Sequence, residues 1–275
     1  MAPMNSQPSV IAPACEADAE RRFGGLARLY GPDAPAALRG AHVAVAGLGG
    51  VGSWTAEALA RCGVGALTLI DLDHIAESNV NRQIHALSDT LGQAKIEAMA
   101  QRIGQINPAC AVTRVDEFVA PDNVMQVLGG PYAAIVDCTD QAAAKIAMIL
   151  HARQRGVPLL LCGGAGGKTD PLVAKLRNKL RREHGFPRAS DANGKVRKRV
   201  PRMGVRALWF DQPAILPDAW TRAVEGEDDM GAAGTRAAPQ GLSCAGYGSV
   251  VTVTAAMGLA AANEVLRWVV GKSGA

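Results

Sequence analysis

Aromatic residues are scarce: four Trp, three Tyr and four Phe make up only 4% of the 275 residues. So few rings leave little from which to build the base-stacking platforms that hold single-stranded nucleic acid. Cysteine is also thinly used. Its six positions, 15, 62, 110, 138, 162 and 244, contain no C-x-x-C pair. That excludes a paired-cysteine structural zinc site and fits reduced thiols in a cytoplasm better than a disulfide framework. Long apolar runs are missing as well. The stretch from Val250 to Ala262 stops at Asn263 and Glu264, short of a membrane span. The N-terminus, MAPMNSQPSVIAPACEADAE, lacks the basic leader and continuous apolar centre of a signal peptide. A cytoplasmic protein with no membrane association is expected.

What the chain does have is ample material for a core: 48% apolar against 20% charged residues, in a length that folds without metal or disulfide. Residues 1–20, rich in Pro, Ala and Ser, read as a disordered tail. From Ala41 a βα rhythm begins. AHVAVAGLGG is a strand running into a glycine turn, Val51–Cys62 a helix and ALTLID (66–71) a second strand. A helix is expected through SDTLGQAKIEAMAQRIGQIN, capped by Ser88 or Asp89. AVTRVDEF, AAIVDC (133–138) and PLLLCGG (158–164) supply three more strands. Alternating apolar strands and helices predict an α/β, doubly wound, Rossmann-like and mostly parallel sheet with helices on both faces. Residues 21–275 form one domain, its C-terminal part an elaboration on the same sheet. That part is expected to end in a strand through the Val- and Thr-rich GYGSVVTVTAAMG and a helix through LAAANEVLRWVV.

Charge is unevenly placed. Between Lys175 and Arg206 twelve basic residues face only Glu183 and Asp191, a local charge of +10 in a chain whose total is +4. The segment 172–206 reads as an insertion, a basic helix followed by a basic loop. Leu172, Val173, Leu176 and Leu180 form one stripe of that helix, with Lys175, Arg177, Arg181 and Arg182 facing outward. The loop RASDANGKVRKRVPR adds Lys195, Arg197, Lys198 and Arg199. A docked helix leading into a basic loop suits a phosphate backbone, and positions an RNA more readily than it reads its sequence. The plainer alternative is a solvated basic face.

Gly47-Leu48-Gly49-Gly50-Val51-Gly52 satisfies G-x-G-x-x-G between a strand and a helix. Its glycines would bring backbone N–H groups up to phosphates, with Asp71 ending the next strand on a ribose. Glycines required only for close helix packing remain the alternative. A nicotinamide oxidoreductase is the usual owner of such a loop, but the chain after Asp71 is too cationic for it. Asn79, Asn81, Arg82 and Gln83 cluster beyond Asp71 and Asp73, with Lys95 soon after. Two cations and several amides suit a triphosphate. In Asp137-Cys138-Thr139-Asp140, the first acid reads as buried and structural, and Asp140 as the candidate Mg²⁺ ligand.

GLGGVGS, LIDLDHIAESNVNRQ, GQAKIEAM and DCTD, in that order, resemble the ATP-dependent adenylating family related to ubiquitin activation and to the activators of bacterial sulfur carriers. RRFGGLARLYG, NVNRQIHAL, QRIGQINP, GGAGG and SCAGYG are similar to its tRNA threonylcarbamoyladenosine dehydratase branch. The resemblance covers most of residues 21–270. It implies ATP and Mg²⁺ as cofactors, with nucleotide on Gly47, Gly49, Gly50, Gly52, Asp71 and Asp73. Asn79, Arg82, Gln83 and Lys95 match the family's phosphate-handling positions, and Asp140 its magnesium acid. Arg82, Lys95 and Asp140 would be the catalytic groups. The implied reaction is adenylation of a carboxylate followed by intramolecular capture, cyclising threonylcarbamoyladenosine beside the anticodon with net loss of water.

The implied partners are tRNA, a second copy of the chain as a homodimer and, on the alternative reading, a sulfur-transfer or carrier protein whose C-terminus is adenylated. The missing paired cysteines and the +10 segment favour tRNA. Arg22 and Arg28 stand where the family tends to donate an arginine across a dimer interface, though both also suit an ordinary surface. Cys244 aligns with a family cysteine that could carry a thioester or persulfide, but cyclisation has no need of one and a small buried thiol is the commoner explanation. His85 is read as a packing or capping residue rather than an acid or base. Trp209 and Trp220 fit either packing or a dimer contact. The connection through GGAGGKTDPLVAKLR, with a single Asp-Pro pair, is shorter than the family's usual two-pair stretch, and Gln141 replaces its usual Asn or Ser.

Overall fold

The computed structural model describes residues 17–163, 171–191, 193–210 and 249–271. Three short helices open it: α1 (Ala19–Phe23), α2 (Gly25–Tyr30) and α3 (Ala34–Gly40). Asp18 caps α1 by accepting from the Arg21 N–H, so helical structure begins at Ala19. Six strands follow: β1 (His42–Ala46), β2 (Ala66–Ile70), β3 (Ala111–Val115), β4 (Ala134–Asp137), β5 (Leu159–Cys162) and β6 (Arg206–Leu208). All pair in parallel, in the order β3-β2-β1-β4-β5-β6. The connecting helices are α4 (Gly52–Arg61), α5 (Lys95–Ile106), α6 (Val124–Val127), α7 (Ala142–Arg155), α8 (Pro171–Glu183) and α9 (Val251–Val269).

The period-2 alternation of the strands divides the core. Val43, Val45, Leu67, Leu69, Val136, Leu160 and Cys162 turn toward α4, α5 and α9. Ala44, Ala46, Ile70 and Ile135 turn the other way, toward α6 and α7. Because both faces are covered, strands such as β1 read as continuous apolar runs. The doubly wound order reverses at β1, between β2 and β4. Ligands bind in such sheets beyond the strand C-termini at that switch point, where the glycine loop, Asp71 and residues 138–140 all emerge.

Three expectations change. The strand predicted within 246–258 is helical from Val251 onward, residues 246–248 lying outside the described set. Thr254, Met257, Gly258, Ala261, Ala262 and Val265 recur at helical spacing and bury one continuous face, and that burial overrides the strand preference of the β-branched run. A side chain at Gly258 would meet the Val51 carbonyl at 2.5 Å and Trp54 Cβ at 2.7 Å, so α9 lies directly on α4. The helix expected from Ser88 starts only at Lys95. Ser88–Thr90 is a 3-10 turn whose Thr90 Oγ1 accepts from the Leu87 N–H, and Gly92 at φ +80° interrupts the chain. Finally, β6 lies in what the sequence reads only as a mixed stretch. Its three residues are too few for a period to be legible.

Candidate active site

Packing accounts for three of the four loop glycines. Gly47 sits at φ +85°, where a side chain would lie 3.0 Å from the Cys138 carbonyl. A Cβ at Gly52 would be 1.8 Å from the Gly47 oxygen, and one at Gly50 would be 2.9 Å from Thr254 Cγ2. Gly49 is different: nothing lies within 4 Å of its missing side chain. The space in front of Gly49 is open, as a loop that admits a phosphate requires. Behind it α4 begins with no side-chain cap, leaving the anion-attracting N–H end of a helix facing that space.

Asp71, buried at the end of β2, fixes the loop. Its Oδ2 accepts from the Leu48 N–H at 2.5 Å and its Oδ1 from the Asp73 N–H at 2.9 Å. Burial pushes its carboxyl above the usual range, opposed by the Lys95 charge and these two N–H donors. Lys95, the first residue of α5, donates to Asp73 Oδ2 at 2.7 Å and lies 3.9 Å from Asp71 Oδ1. The late helix start therefore delivers a buried ammonium to the strand ends. Asn79 accepts from the Ala76 N–H and so shapes its own turn. Arg82 Nη1 donates to the Ser78 carbonyl at 2.5 Å and to Asn81 Oδ1 at 3.1 Å.

The Arg82 carbonyl accepts from Trp54 Nε1 at 3.0 Å and Thr254 Oγ1 at 3.3 Å. The same loop reaches the chain just ahead of α9 where Asn81 Nδ2 donates to the Ser249 carbonyl at 2.7 Å. Trp54 and Thr254 escaped the sequence reading. A lone Trp in the first turn after Gly52 was the available signal for the first; Thr254 is visible only once α9 docks. Gln83 and His85 are buried, and among the described residues Gln83 Oε1 and both His85 ring nitrogens have no hydrogen-bond partner. Burial, then the Lys95 and Arg102 charges, lower the His85 pKa to about 4. A neutral, packed imidazole agrees with the sequence reading.

At the end of β4, Asp137 is fully buried and Asp140 exposed. The 138–140 turn presses against Gly47, its Thr139 nitrogen 3.1 Å from where a Gly47 side chain would start. Asp140 thus borders the same crevice. Among the described residues no three His, Cys, Asp or Glu gather as a metal cage. One carboxylate beside a phosphate space is nevertheless how Mg²⁺ is commonly held. The residue the sequence reading missed here is Lys145, fully buried on α7 and paired with Asp137 at 3.1 Å. Its signal was a single charge inside the apolar AAAKIAM. Cys138 and Cys162 lie with sulfurs 3.8 Å apart. Their hydrogen bond and burial hold the Cys138 thiol well above its ordinary range, which favours the neutral thiol over the thiolate. Cys244 and Trp220 lie outside the described residues.

Arg22 is not at this crevice in its own chain. It caps the far end of α5, donating to the Ile106 carbonyl at 2.6 Å and the Gln105 carbonyl at 3.3 Å. A twelve-residue helix separates that end from Lys95 by about 18 Å. Arg28 is exposed. The basic segment is a surface. Leu176 and Leu180 seat α8 on α7, while Lys175, Arg177, Arg182, Lys195, Arg197, Lys198 and Arg199 are exposed. Arg181 departs from the outward placement expected of it. It is partly buried and its carbonyl accepts from Arg188. Trp209, just past β6, is half-exposed.

A model of the ThiF family matches residues 24–275. The tRNA threonylcarbamoyladenosine dehydratase of Escherichia coli (strain K12) is 41% identical over 271 residues, covering 92% of this chain and 95% of its own. The crystal structure of the E. coli tRNA N6-threonylcarbamoyladenosine dehydratase in complex with ATP superposes with a TM-score of 0.74 at 38% identity, over 94% of this chain and 98% of that one. The molybdopterin-synthase adenylyltransferase of Salmonella typhimurium is 35% identical over 124 residues, 45% of this chain and 49% of its own.

Proposed function

This chain belongs to the ThiF family, and from that premise we propose that it dehydrates threonylcarbamoyladenosine in tRNA at the expense of ATP. One observation carries the proposal. The open face of Gly49, the buried Lys95 bonded to Asp73 and the exposed Asp140 all lie beyond the C-terminal ends of the neighbouring strands β1, β2 and β4, and a +10 segment leading into the edge strand β6 suits an RNA footprint. A carrier-adenylating reading accounts for the first but leaves the second unused, and the similarity to such an enzyme stops at half the chain. A nicotinamide reading leaves Arg82 and Lys95 without a task.

In this reading the phosphates lie against the loop N–H groups and the start of α4. Asp71, whose oxygens retain lone pairs beyond the two N–H bonds they accept, orients the ribose. Arg82 and Lys95 neutralise the phosphates, with Asn79 and Gln83 shaping the loop that carries Arg82. The threonyl carboxylate oxygen attacks the α-phosphorus and the bond to pyrophosphate breaks. A nucleophile on the same modified base then attacks the activated acyl carbon and AMP leaves with the former carboxylate oxygen, so the nucleoside loses one water. Mg²⁺ held by Asp140 would offset charge on the departing pyrophosphate. Capture within one side chain needs orientation more than a protein nucleophile. The cytoplasm is the compartment where tRNA, ATP and reduced thiols coincide. Among the described residues no helix is long and apolar enough to cross a membrane. A homodimer would let a partner copy supply Arg22 or Arg28.

The test incubates protein, Mg-ATP and tRNA bearing threonylcarbamoyladenosine, then weighs the digested nucleosides. Loss of one water, dependent on ATP and reduced by about a thousandfold in Lys95→Ala, is expected. An unchanged nucleoside, together with pyrophosphate exchange stimulated by a carrier protein ending in Gly-Gly, would replace this reading with the carrier-adenylating one.

A further inference from the structure

A lysine with no exposed surface is rare, because its ammonium must find partners that offset lost hydration. Lys145 Nζ has two: the Cys162 carbonyl at 2.8 Å and Asp137 Oδ1 at 3.1 Å. Its partner is equally buried. Replacing such a pair by apolar residues of similar shape is often neutral or stabilising, so a buried ion pair is weak evidence of a contribution to stability. What distinguishes this one is the other traffic at Asp137 Oδ1. The same oxygen accepts from the Thr139 N–H at 3.0 Å and from Thr139 Oγ1 at 2.7 Å. Lys145 thus ties α7 and the end of β5 to a carboxylate that grips the turn beyond β4. That turn supports Gly47 on one side and ends in Asp140 on the other.

We propose that Lys145 and Asp137 are positioning residues for Asp140, fixing where its carboxylate stands relative to the glycine loop. The inference rests on the reading of Asp140 as the cation-holding acid. Bonds to a carboxylate are stronger than neutral ones, and Lys145 stands 3.1 Å from the same Asp137 oxygen that holds the turn. Asp140 is exposed and has freedom to rotate; what the pair fixes is the backbone from which it projects. Groups standing one step behind a metal ligand commonly change metal affinity by about 10–100-fold.

The experiment measures Mn²⁺ affinity by electron paramagnetic resonance, with a non-hydrolysable ATP analogue bound, in the full-length protein. Three variants are compared with the parent: Thr139→Val, which removes one bond to Asp137 and little volume; the double variant Asp137→Asn with Lys145→Met, which removes both charges and leaves no unpaired one; and Asp140→Asn. Nucleotide affinity without divalent cation and the midpoint of thermal unfolding are recorded alongside. The expected result is Mn²⁺ binding weakened about tenfold in the first two, with metal-free nucleotide affinity preserved. Unchanged Mn²⁺ affinity in both, while Asp140→Asn loses it, would overturn the positioning role and leave Asp140 in place. A parallel fall of Mn²⁺ affinity, nucleotide affinity and unfolding midpoint would also overturn it, reducing the pair to packing. Undiminished Mn²⁺ binding in Asp140→Asn would remove the reading beneath. Where the double variant does not fold, Thr139→Val still tests the grip of Asp137 on the turn, and unchanged Mn²⁺ affinity there would overturn the proposal.

Discussion

The charged groups at the ends of β1, β2 and β4 and those of α8 and its adjoining loop share residue types and almost nothing else. Asp71, Arg82, Lys95, Asp137 and Lys145 are all buried, and each is bonded to a main-chain group or an opposite charge. Lys175, Arg177, Lys195, Arg197, Lys198 and Arg199 stand in solvent. Buried charges cannot be exchanged one at a time without leaving a partner unsatisfied, so their positions are set before any ligand arrives. Exposed ones act through number and nearness, are screened by salt, and tolerate substitution. A site for chemistry and a footprint for a polyanion therefore call for opposite treatments of the same side chains.

The sharpest contrast lies within the glycine loop itself. Gly52→Ala would drive a methyl group onto the Gly47 carbonyl, a main-chain atom with no room to yield. The expected result is a loss of several kcal/mol, about 4 or more, seen as an absent or greatly lowered unfolding transition. Gly49→Ala meets nothing within 4 Å, so its unfolding midpoint should stay at the parent value. Its nucleotide affinity, measured by calorimetry, should fall by about a hundredfold (about 2.7 kcal/mol). Parental ATP binding in Gly49→Ala would show that the open space is not where the phosphates go.

A middling effect concerns His85, which belongs to the buried group yet has no partner among the described residues. Its pKa near 4 in the fold compares with about 6.5 in an unfolded chain. Between those values the unfolded chain binds the proton that the folded one refuses. The contribution of neutral His85 is complete above pH 6.5 and is lost as pH falls toward 4. At full extent that amounts to about 3 kcal/mol. Urea unfolding at pH 7.5, 6 and 5 should show stability declining on the acid side, and His85→Gln should flatten the slope. An unaltered slope would assign the acid loss to other groups.

The two regions also differed in how readily they could be read from sequence. β1, β2, β4 and β5 announced themselves through apolar runs, and the glycine loop through G-x-G-x-x-G. So did the basic helix, through Leu172, Leu176 and Leu180 at one stripe. The second half of the C-terminal helix was legible in LAAANEVLRWVV, but its start was not, because Val251, Thr252, Val253 and Thr254 favour a strand locally and only the long face buried on α4 overrules them. Lys145 was hidden for the opposite reason: one residue in an apolar helix carries no period, and its meaning comes from Asp137 and Cys162 on two strands distant in sequence. Arg22 carried a family expectation about a second copy of the chain, whereas within its own chain it bonds the end of α5, a contact that no sequence pattern announces. Pattern shows which residues will be covered; it does not show which distant polar group will cover them.

The smallest effect belongs to the exposed region, and its smallness is what the contrast demands. Replacing Lys195, Arg197, Lys198 and Arg199 together by Ala removes four charges that support no core contact. The Arg197 side chain donates to the Ser190 carbonyl at 3.4 Å, while the main-chain bonds of Lys195 and Arg197 within the loop survive substitution by Ala. The unfolding midpoint and ATP affinity should therefore be unchanged. The KM for tRNA should rise about tenfold at physiological salt, with kcat retained, since phosphate contacts position the substrate without taking part in bond making. Each lost contact also withdraws a released counterion, so log KM against log salt should flatten by up to about 3. A fall in kcat at saturating tRNA would mean that this surface shapes the reacting geometry, and the separation between the two regions would no longer hold.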